Sequence, residues 1–356
     1  MTPGRFATLI TLLAGLLAGC VSLPTREELA SMPAPHAWMP PGSSVVDGRA
    51  RFRTIFCGVL ASEPDAHDRY PECSDWLWQL SDEQPPDRQP LPRPDKTPQI
   101  YLVTGAFSEC LSDETHPFRD AVEPLAESGY RIATIVVGGR SGIEHNAQQI
   151  ADRLAGAPPG EAGPAVLIGH SKGTNDILEF LVRYPELAAR VKSVVSVAGA
   201  VAGSPLADEA AGAYDLLFGW IPLDRCAQGD GGVIDSLRPE VRRDWLTSNP
   251  LPTDIRYFSL AAFTTKAHMA HSLEPAWKLL LNYDARNDGQ VLASDALIPG
   301  ATLLGYLNAD HWSAAISMES GHSVLGARQD PTPFPRAALL EAILLQIAEP
   351  PASGRE

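Results

Sequence analysis

Short apolar runs alternate with helical stretches from Gln99 onwards, and this alternation constrains the fold more than any other feature. Apolar residues at consecutive positions predict strands that are buried on both faces. Such strands, separated by helices, belong to a parallel sheet covered on both sides. The predicted strands are residues 100–103, 130–137, 165–168, 191–201, 255–263 and 301–307, and the predicted helices are residues 117–128, 143–154, 174–184 and 336–348. We therefore expect an α/β domain over residues 99–350, with a mostly parallel β-sheet flanked by helices.

The segments outside this alternation are predicted to form separate parts of the chain. Residues 20–50 are rich in Pro, Ala and Ser and are predicted to be a tether. Residues 51–98 are predicted to form a small extension with cysteines and tryptophans, followed by a stiff linker that has five prolines within residues 84–94. Residues 202–254 are too many for a bare connection, and we expect a cap containing the apolar stretch 214–223.

The first twenty residues have the composition of an export signal. Arg5 precedes an apolar run over residues 6–17, which is too short to span a bilayer. The run ends in Leu17-Ala18-Gly19-Cys20, which resembles the bacterial lipoprotein box. The resemblance implies a signal peptide over residues 1–19 and a lipid on Cys20; a plain secretory signal is the alternative. Position 21 is Val rather than Asp, so we expect the outer membrane as the destination.

The charge balance excludes one class of partner. The formal net charge is −15 at pH 7 and the isoelectric point is about 5.0. An acidic surface repels phosphate backbones, so no nucleic-acid partner is expected. It is also repelled by anionic lipid, so membrane attachment requires the N-terminal lipid anchor.

Four cysteines remain once Cys20 is set aside. An even number in an oxidising compartment predicts two disulfides. Cys57 and Cys73 flank a polar stretch that can turn back on itself, which favours the pairs Cys57–Cys73 and Cys110–Cys226. Four buried free thiols are the alternative.

The motif Gly169-His170-Ser171-Lys172-Gly173 lies between a predicted buried strand and a predicted helix. In this context a Gly-x-Ser-x-Gly sequence is typical of a sharp turn that exposes a nucleophilic serine at the carboxyl end of the strand. The neighbouring helix N-terminus favours negative charge. Ser171 is therefore the candidate nucleophile.

A serine nucleophile needs a base, and the chain has nine histidines. The pieces Asn287-Asp288-Gly289-Gln290-Val291 and Asp310-His311 resemble those of bacterial lipases and esterases of the α/β-hydrolase superfamily. The resemblance covers roughly residues 99–348. It implies the chain order serine, acid, histidine, and so the triad Ser171, Asp288 and His311.

Other residues compete for these roles. His322 is an alternative base, and Asp295 is an alternative acid. His268 and His271 are weak evidence for a metal site, and His170 is interpreted as a packing residue. Related lipases bind calcium through an aspartate two residues after the histidine, but position 313 is Ser. No metal and no cofactor are expected.

The oxyanion hole requires two N–H donors. Lys172, directly after the nucleophile, supplies one from its backbone. The loop after the first core strand supplies the other, with Ala106 as the first choice and Phe107 as the second. Thr104-Gly105 stands where lipases usually have His-Gly. The Lys172 side chain has two interpretations: it attracts an anionic substrate, or it forms an ion pair within the site.

The predicted function is hydrolysis of carboxylic esters with lipid-like or other apolar acyl groups, through an acyl-enzyme. A thioesterase, amidase or acyltransferase would use the same triad. An envelope lipoprotein that keeps the fold without turnover is the hypothesis from another class. The sequence carries no mark of the oligomeric state.

Overall fold

The computed structural model describes residues 23–63, 70, 72–85, 89–111, 113–209, 223–317 and 334–350. The strands are β1 (Val46–Asp47), β2 (Gln99–Val103), β3 (Arg131–Ile135), β4 (Ala165–His170), β5 (Val191–Val197), β6 (Arg256–Phe263) and β7 (Thr302–Asn308). The described α-helices with fixed bounds are α1 (Arg26–Ser31), α2 (Arg49–Ser62), α3 (Arg119–Glu127), α4 (Ile143–Ala155), α5 (Lys172–Arg183), α6 (Pro185–Ala188), α7 (Pro239–Ser248), α8 (Glu274–Leu280) and α9 (Arg336–Ala348).

The seven strands form one sheet in the order β1-β7-β6-β5-β4-β2-β3. Every described pair is parallel. β2, β4 and β5 are buried along almost their whole length, which is why most of their residues are apolar. The predicted α/β class, with a parallel sheet flanked by helices, is confirmed.

An apolar cluster covers each face of the sheet. On one face, helices α2, α3 and α9 contribute Phe52, Phe56, Leu125, Leu339 and Ile343. On the other face, α4, α5 and α7 contribute Ile150, Leu154, Ile177, Phe180 and Leu246. Burying one such side chain stabilises the fold by ~1.5–3 kcal/mol. The two layers together hold the strand ends rigidly at the carboxyl edge of the sheet.

The chain changes direction across the sheet between β2 and β4. From β2 it moves outward to β3, and then returns to β4 on the other side of β2 before continuing to β5, β6 and β7. Connections that leave in opposite directions open a crevice at the carboxyl ends of the two strands. The residues that follow β2 and β4, including Ala106 and Ser171, therefore border this crevice.

The expected tether and separate extension are wrong for the described residues. Val46 pairs with Thr302, so β1 is an edge strand of the main sheet. Helix α2 packs on α9 and β7, with Phe52 and Phe56 fully buried. Leu29 is also fully buried. Residues 26–62 look polar or irregular because many of them are exposed or only partly buried, but their few large apolar residues complete the core.

The short segment after Cys73 is extended rather than helical. A 3-10 turn covers Cys73–Asp75, and Leu77 then forms an isolated antiparallel bridge with Leu307. The Trp78 ring stacks on Phe263 at 4.9 Å between centroids and donates its Nε1–H to the Phe263 carbonyl. Trp76 and Trp78 both belong to core clusters.

Part of the predicted cap belongs to the core instead. Helix α7 connects β5 to β6, and its Leu246 packs in the same cluster as Val194 and Ile255. The predicted cap is therefore too long, because it includes the amphipathic helix α7, which connects β5 to β6. Most of the apolar stretch 214–223 lies outside the described residues.

The chain has both of the expected disulfides. Cys57 is bonded to Cys73, which ties α2 to the segment before Trp76. Cys110 is bonded to Cys226, which ties the region after β2 to the segment before α7. The Cα–Cα distances of 5.5 Å and 4.4 Å lie within the range of protein disulfides.

The signal peptide and Cys20 fall outside the described residues. Within the described part of the chain, no helix combines the length and the hydropathy needed to cross a membrane.

Candidate active site

Ser171 lies in the turn between β4 and α5. Its backbone has φ 56° and ψ −133°, a conformation that is rare and strained for a residue other than glycine. The Ser171 N–H donates to the Val197 carbonyl, and the Ser171 carbonyl accepts from the Thr174 N–H. These bonds, together with the two elements on either side, hold the turn in place and direct the hydroxyl toward the crevice.

The two flanking glycines are required by close backbone contacts. A Cβ at Gly169 would lie 2.6 Å from the Thr174 Cα, and a Cβ at Gly173 would lie 2.5 Å from the Thr104 carbonyl oxygen. Both distances are shorter than real Cβ contacts allow. The Gly-x-Ser-x-Gly pattern therefore reflects how closely α5 approaches β4 and β2.

Ser171, His311 and Asp288 form one hydrogen-bonded chain. The His311 Nε2 lies 2.8 Å from the Ser171 Oγ, and the His311 Nδ1 lies 2.7 Å from an Asp288 carboxylate oxygen. All three side chains are buried. In this arrangement Nδ1–H donates to the carboxylate, which leaves Nε2 free to accept the serine proton.

Asp288 is itself held by its own loop. The carboxylate oxygen that faces away from His311 accepts the N–H groups of Gln290 and Val291, at 2.8 and 2.7 Å. The His311 N–H donates to the Asp288 carbonyl at 2.8 Å. Gly289 follows with φ +91°, a conformation that glycine adopts without strain. The Asn-Asp-Gly sequence thus encodes the turn that presents the carboxylate to the imidazole.

The backbone N–H groups expected to donate to an oxyanion differ in whether they are already hydrogen-bonded. The Phe107 N–H already donates to the Gly139 carbonyl at 2.9 Å, so the second choice is wrong. No acceptor among the described residues takes the Ala106 N–H. Lys172 is the first residue of α5, so its N–H has no acceptor within the helix. A Cβ at Gly105 would lie 2.9 Å from the Ser171 Cβ, which shows how close this loop is to the nucleophile.

The Lys172 side chain forms an ion pair. Its Nζ lies 2.6 Å from an Asp176 oxygen, and both side chains are fully buried. The second of the two interpretations is therefore the correct one. Burial raises the pKa of Asp176 and lowers the pKa of Lys172, and the mutual attraction of the two groups opposes both shifts.

Comparison with solved structures places the chain among known enzymes. The metagenomic carboxyl esterase MGS0156 is 36% identical in sequence, with a TM-score of 0.77, and the match covers 89% of this chain and 96% of that one. This chain belongs to the carboxyl esterases of the α/β-hydrolase fold. No protein-family model matches the sequence, and no curated protein matches it.

Two further solved structures resemble this chain in fold alone. The mature lipase BlEst2 of Bacillus licheniformis is 24% identical, with a TM-score of 0.52 over 67% of this chain and 91% of that one. EstA of Clostridium botulinum is 14% identical, with a TM-score of 0.50 over 83% of this chain and 98% of that one. The enzyme is thus a serine carboxylic ester hydrolase in fold and in family.

The competing site residues that the structure describes are bonded to groups other than the triad. Asp295 is buried and forms an ion pair with Arg243 at 3.2 Å, while burial raises its pKa to about 6. His322 lies outside the described residues. The exposed His271 contacts Glu274. Within the described part of the chain, no group of three or more acidic, histidine or cysteine side chains is suited to hold a metal ion.

Two residues that hold the His311 loop of the esterase have roles that the sequence did not predict. Asp310 is buried and accepts the N–H groups of Ala270, Trp312 and Ser313. His170 donates its Nε2–H to the His311 carbonyl at 2.8 Å, so it does more than fill space. Burial lowers the pKa of His170 to about 3, with the nearby His311 ring adding to the shift, so the imidazole is neutral at pH 7. The Asp-x-x-Ser pattern at 310–313 is the one available sequence signal, since it is typical of a side-chain-capped turn.

Proposed function

We propose that the esterase cleaves carboxylic esters through a covalent acyl-enzyme on Ser171, with His311 as the base and Asp288 as the orienting acid. The observation that carries this proposal is the position of the His311 ring, which bridges Ser171 and Asp288 with hydrogen bonds of 2.8 and 2.7 Å. A buried imidazole bonded on both sides is poised to take a proton from one group while the other stabilises its charge.

In the acylation step, the Ser171 Oγ bonds to the acyl carbon as its proton passes to the His311 Nε2. Asp288 keeps the Nδ1–H aligned and stabilises the imidazolium. The tetrahedral intermediate then collapses, the bond to the alcohol oxygen breaks, and the alcohol leaves with the proton from His311. A water molecule next donates its proton to His311 and attacks the acyl carbon. Release of the acid returns the proton to Ser171.

The Ala106 and Lys172 N–H groups are proposed as the donors to the oxyanion. Ala106 lies on the loop after β2, on one side of the crevice, and Lys172 follows the nucleophile on the other side. Both N–H groups lack acceptors within the described residues. Each such donor is worth ~3–4 kcal/mol of transition-state stabilisation.

The surroundings of the donor loop favour apolar acyl esters. Phe107 belongs to a cluster of apolar side chains contributed by several loops and helices, which also includes Leu206, Val233, Leu280 and Leu292. A substrate that enters beside this cluster exchanges water for apolar contact, which stabilises its binding by ~25 cal/mol per Å². We therefore propose ester substrates with apolar acyl or alcohol groups.

We also propose that the esterase is a lipoprotein of the outer membrane, anchored through acylated Cys20. The Leu-Ala-Gly-Cys sequence and the valine at position 21 support this proposal, as do the two disulfides, which need an oxidising compartment. Metabolic labelling with an alkyne fatty acid tests it: the wild type incorporates label and floats with outer-membrane fractions, and Cys20→Ser does neither.

Hydrolysis of p-nitrophenyl esters from acetate to palmitate tests the proposed chemistry. The soluble form lacking residues 1–20 is measured beside Ser171→Ala, His311→Ala and Asp288→Asn. We expect kcat to fall at least 1000-fold in each variant, since the three groups act as a unit. Activity is expected to peak at medium or long acyl chains.

Asp295→Asn is the matched control for the acid, because Asp295 is also buried and lies on the same stretch of chain. We expect it to retain at least a third of the wild-type kcat. Full activity in His311→Ala would move the base to another histidine and contradict the proposal. A folded wild type that turns over none of the esters would contradict it as well.

A further inference from the structure

A buried ion pair lies directly behind the proposed nucleophile. Lys172 and Asp176 are one helical turn apart on α5, and neither side chain is exposed to solvent. Removing two charges from water is costly, and an apolar pair of similar volume is often at least as stable. Stability of the helix therefore does not by itself explain why a lysine and an aspartate occupy these positions.

The second oxygen of Asp176 extends the contact to the neighbouring helix α4. The Asn146 side-chain amide donates one hydrogen to this oxygen at 2.9 Å and the other to the Gly138 carbonyl at 3.1 Å. Asn146 is also buried, with 1% exposure. A single amide group thus bridges the ion pair on α5 and the loop that follows β3.

This loop in turn holds the residue after the proposed oxyanion donor. The Phe107 N–H donates to the Gly139 carbonyl at 2.9 Å, and Phe107 has φ +61°. A Cβ at Gly139 would lie 2.8 Å from the Phe107 Cα, so the two backbones are in direct contact. The position of Gly139 therefore fixes the peptide between Ala106 and Phe107, which adjoins the Gly105–Ala106 peptide that carries the Ala106 N–H.

The chain of contacts begins and ends at the two N–H groups proposed for the oxyanion hole. Lys172 provides one of these groups from its backbone, and its side chain is the first link. Ala106 provides the other, one residue before Phe107. Two donors stabilise one oxygen only if both point to the same place, and an error of about 1 Å in position costs about 100-fold in rate.

We propose that the chain Lys172–Asp176–Asn146–Gly138 is a positioning network that fixes the two oxyanion donors relative to each other. The inference rests on the proposed serine mechanism and adds a role that the triad does not have. The network side chains make no hydrogen bond to a triad side chain. They act through the backbone on either side of the crevice.

Charges from other elements also face this network. Arg242 of α7 is fully buried, donates its Nε–H to the Val201 carbonyl, and lies near enough to act electrostatically on both Lys172 and Asp176. Asp230, which accepts the Gly142 N–H at 2.8 Å, acts on Lys172. In a variant that replaces only Lys172, the Asp176 carboxylate stays buried near Arg242 without its lysine partner. A variant in which Lys172 and Asp176 are both replaced is therefore needed.

The test compares Lys172→Met, Lys172→Met/Asp176→Met and Asn146→Ala in the full-length enzyme. kcat and KM are measured on a p-nitrophenyl ester, Ki on a trifluoromethyl ketone, and stability by urea unfolding. We expect the double variant to regain stability lost in Lys172→Met while kcat stays 30- to 100-fold below the wild type. KM should change less than threefold, and affinity for the ketone should fall in parallel with kcat/KM, because its hemiketal oxygen needs both donors.

Arg183→Met is the matched control, because Arg183 forms an ion pair with Glu179 at the same spacing on the same helix. We expect its kcat to equal that of the wild type. A double variant with kcat within threefold of the wild type would overturn the network, and so would Asn146→Ala with unchanged kcat and Ki. The double variant and Asn146→Ala carry the test even if Lys172→Met does not fold. A wild type no faster than Ser171→Ala overturns the proposed function instead, and this inference with it.

Discussion

Gly105 illustrates how one missing side chain shapes the site. A Cβ at this position would lie 2.9 Å from the Ser171 Cβ and 3.1 Å from the His170 carbonyl oxygen. Gly105→Ala must therefore push the loop and the nucleophile apart. We expect kcat on a p-nitrophenyl ester to fall 10- to 100-fold, with a stability loss of ~1–3 kcal/mol from overpacking.

Gly142→Ala is the control for this substitution. A Cβ at Gly142 would have only ordinary contacts, the nearest at 3.6 Å. We expect its kcat to stay within twofold of the wild type. A Gly105→Ala variant with kcat within twofold of the wild type would show that the loop tolerates a methyl group there and would contradict the tight packing described above.

His170 makes the stability of the esterase sensitive to acid. Its pKa is about 3 in the folded protein and ~6.5 in an unfolded chain, so the unfolded chain binds a proton first as the pH falls. The contribution to stability is complete above pH ~6.5 and is lost as the pH falls toward 3, with a slope of up to ~1.4 kcal/mol per pH unit. We expect His170→Gln to show a flatter decline of unfolding free energy between pH 6.5 and 4.5.

Urea unfolding at several pH values measures this slope. His271→Gln, at an exposed histidine, is the matched control and should decline as the wild type does. If His170→Gln and the wild type decline in parallel, the buried imidazole does not titrate as described.

At the scale of elements, α2 contributes as much to the core as the helices of the predicted domain. Phe52 and Phe56 are fully buried and stack at 6.3 Å between centroids, in the cluster that also contains Ile343 of α9. We expect Phe52→Ala to lower the free energy of unfolding by ~3–5 kcal/mol, as for a large core side chain. Urea or thermal unfolding measures the loss.

Val241→Ala is the control, since Val241 lies on α7 and is 43% exposed. It should change stability by less than ~0.5 kcal/mol. A separate unfolding transition in Phe52→Ala, with the hydrolase part unaffected, would show that residues 49–62 are an independent unit.

The sequence predicted the strands and helices from residue 99 onward because their apolar patterns are local and strong. It also predicted the residues that the structure brings together at Ser171, because the segments around Asp288 and His311 resemble those of bacterial lipases and esterases. It did not predict that β1 joins the sheet, because a two-residue strand has no pattern of its own. The Lys172 ion pair stayed ambiguous, because its burial depends on α4 and on the loop after β3, which contact it only in three dimensions.

For the whole molecule, the two disulfides close loops of very different length. Cys57 and Cys73 are 16 residues apart, and Cys110 and Cys226 are 116 apart. In the chain-entropy model the longer loop stabilises by roughly 1.8 kcal/mol more, because stabilisation grows with the logarithm of loop length. We expect Cys110→Ser/Cys226→Ser to lose more unfolding free energy than Cys57→Ser/Cys73→Ser.

Urea unfolding of the two double-serine variants under the same conditions gives the comparison. Both should keep a single transition. A larger loss in Cys57→Ser/Cys73→Ser would show that the packing of α2 against the segment at Cys73 outweighs the entropy of the longer loop.

The pairing of β1 with β7 sets an order of events during synthesis. Val46 leaves the ribosome early, but its partner Thr302 follows about 250 residues later, a delay of roughly 13–50 s at typical translation rates. Helix α2 is made long before α9, the helix that covers its phenylalanines, because α9 follows β7 in the chain. Such an exposed apolar segment on a nascent chain is a binding site for chaperones, and the sheet cannot be completed until β7 has been made. The edge strand that is made first is thus the last to be paired, because β7 is the last of the seven strands along the chain.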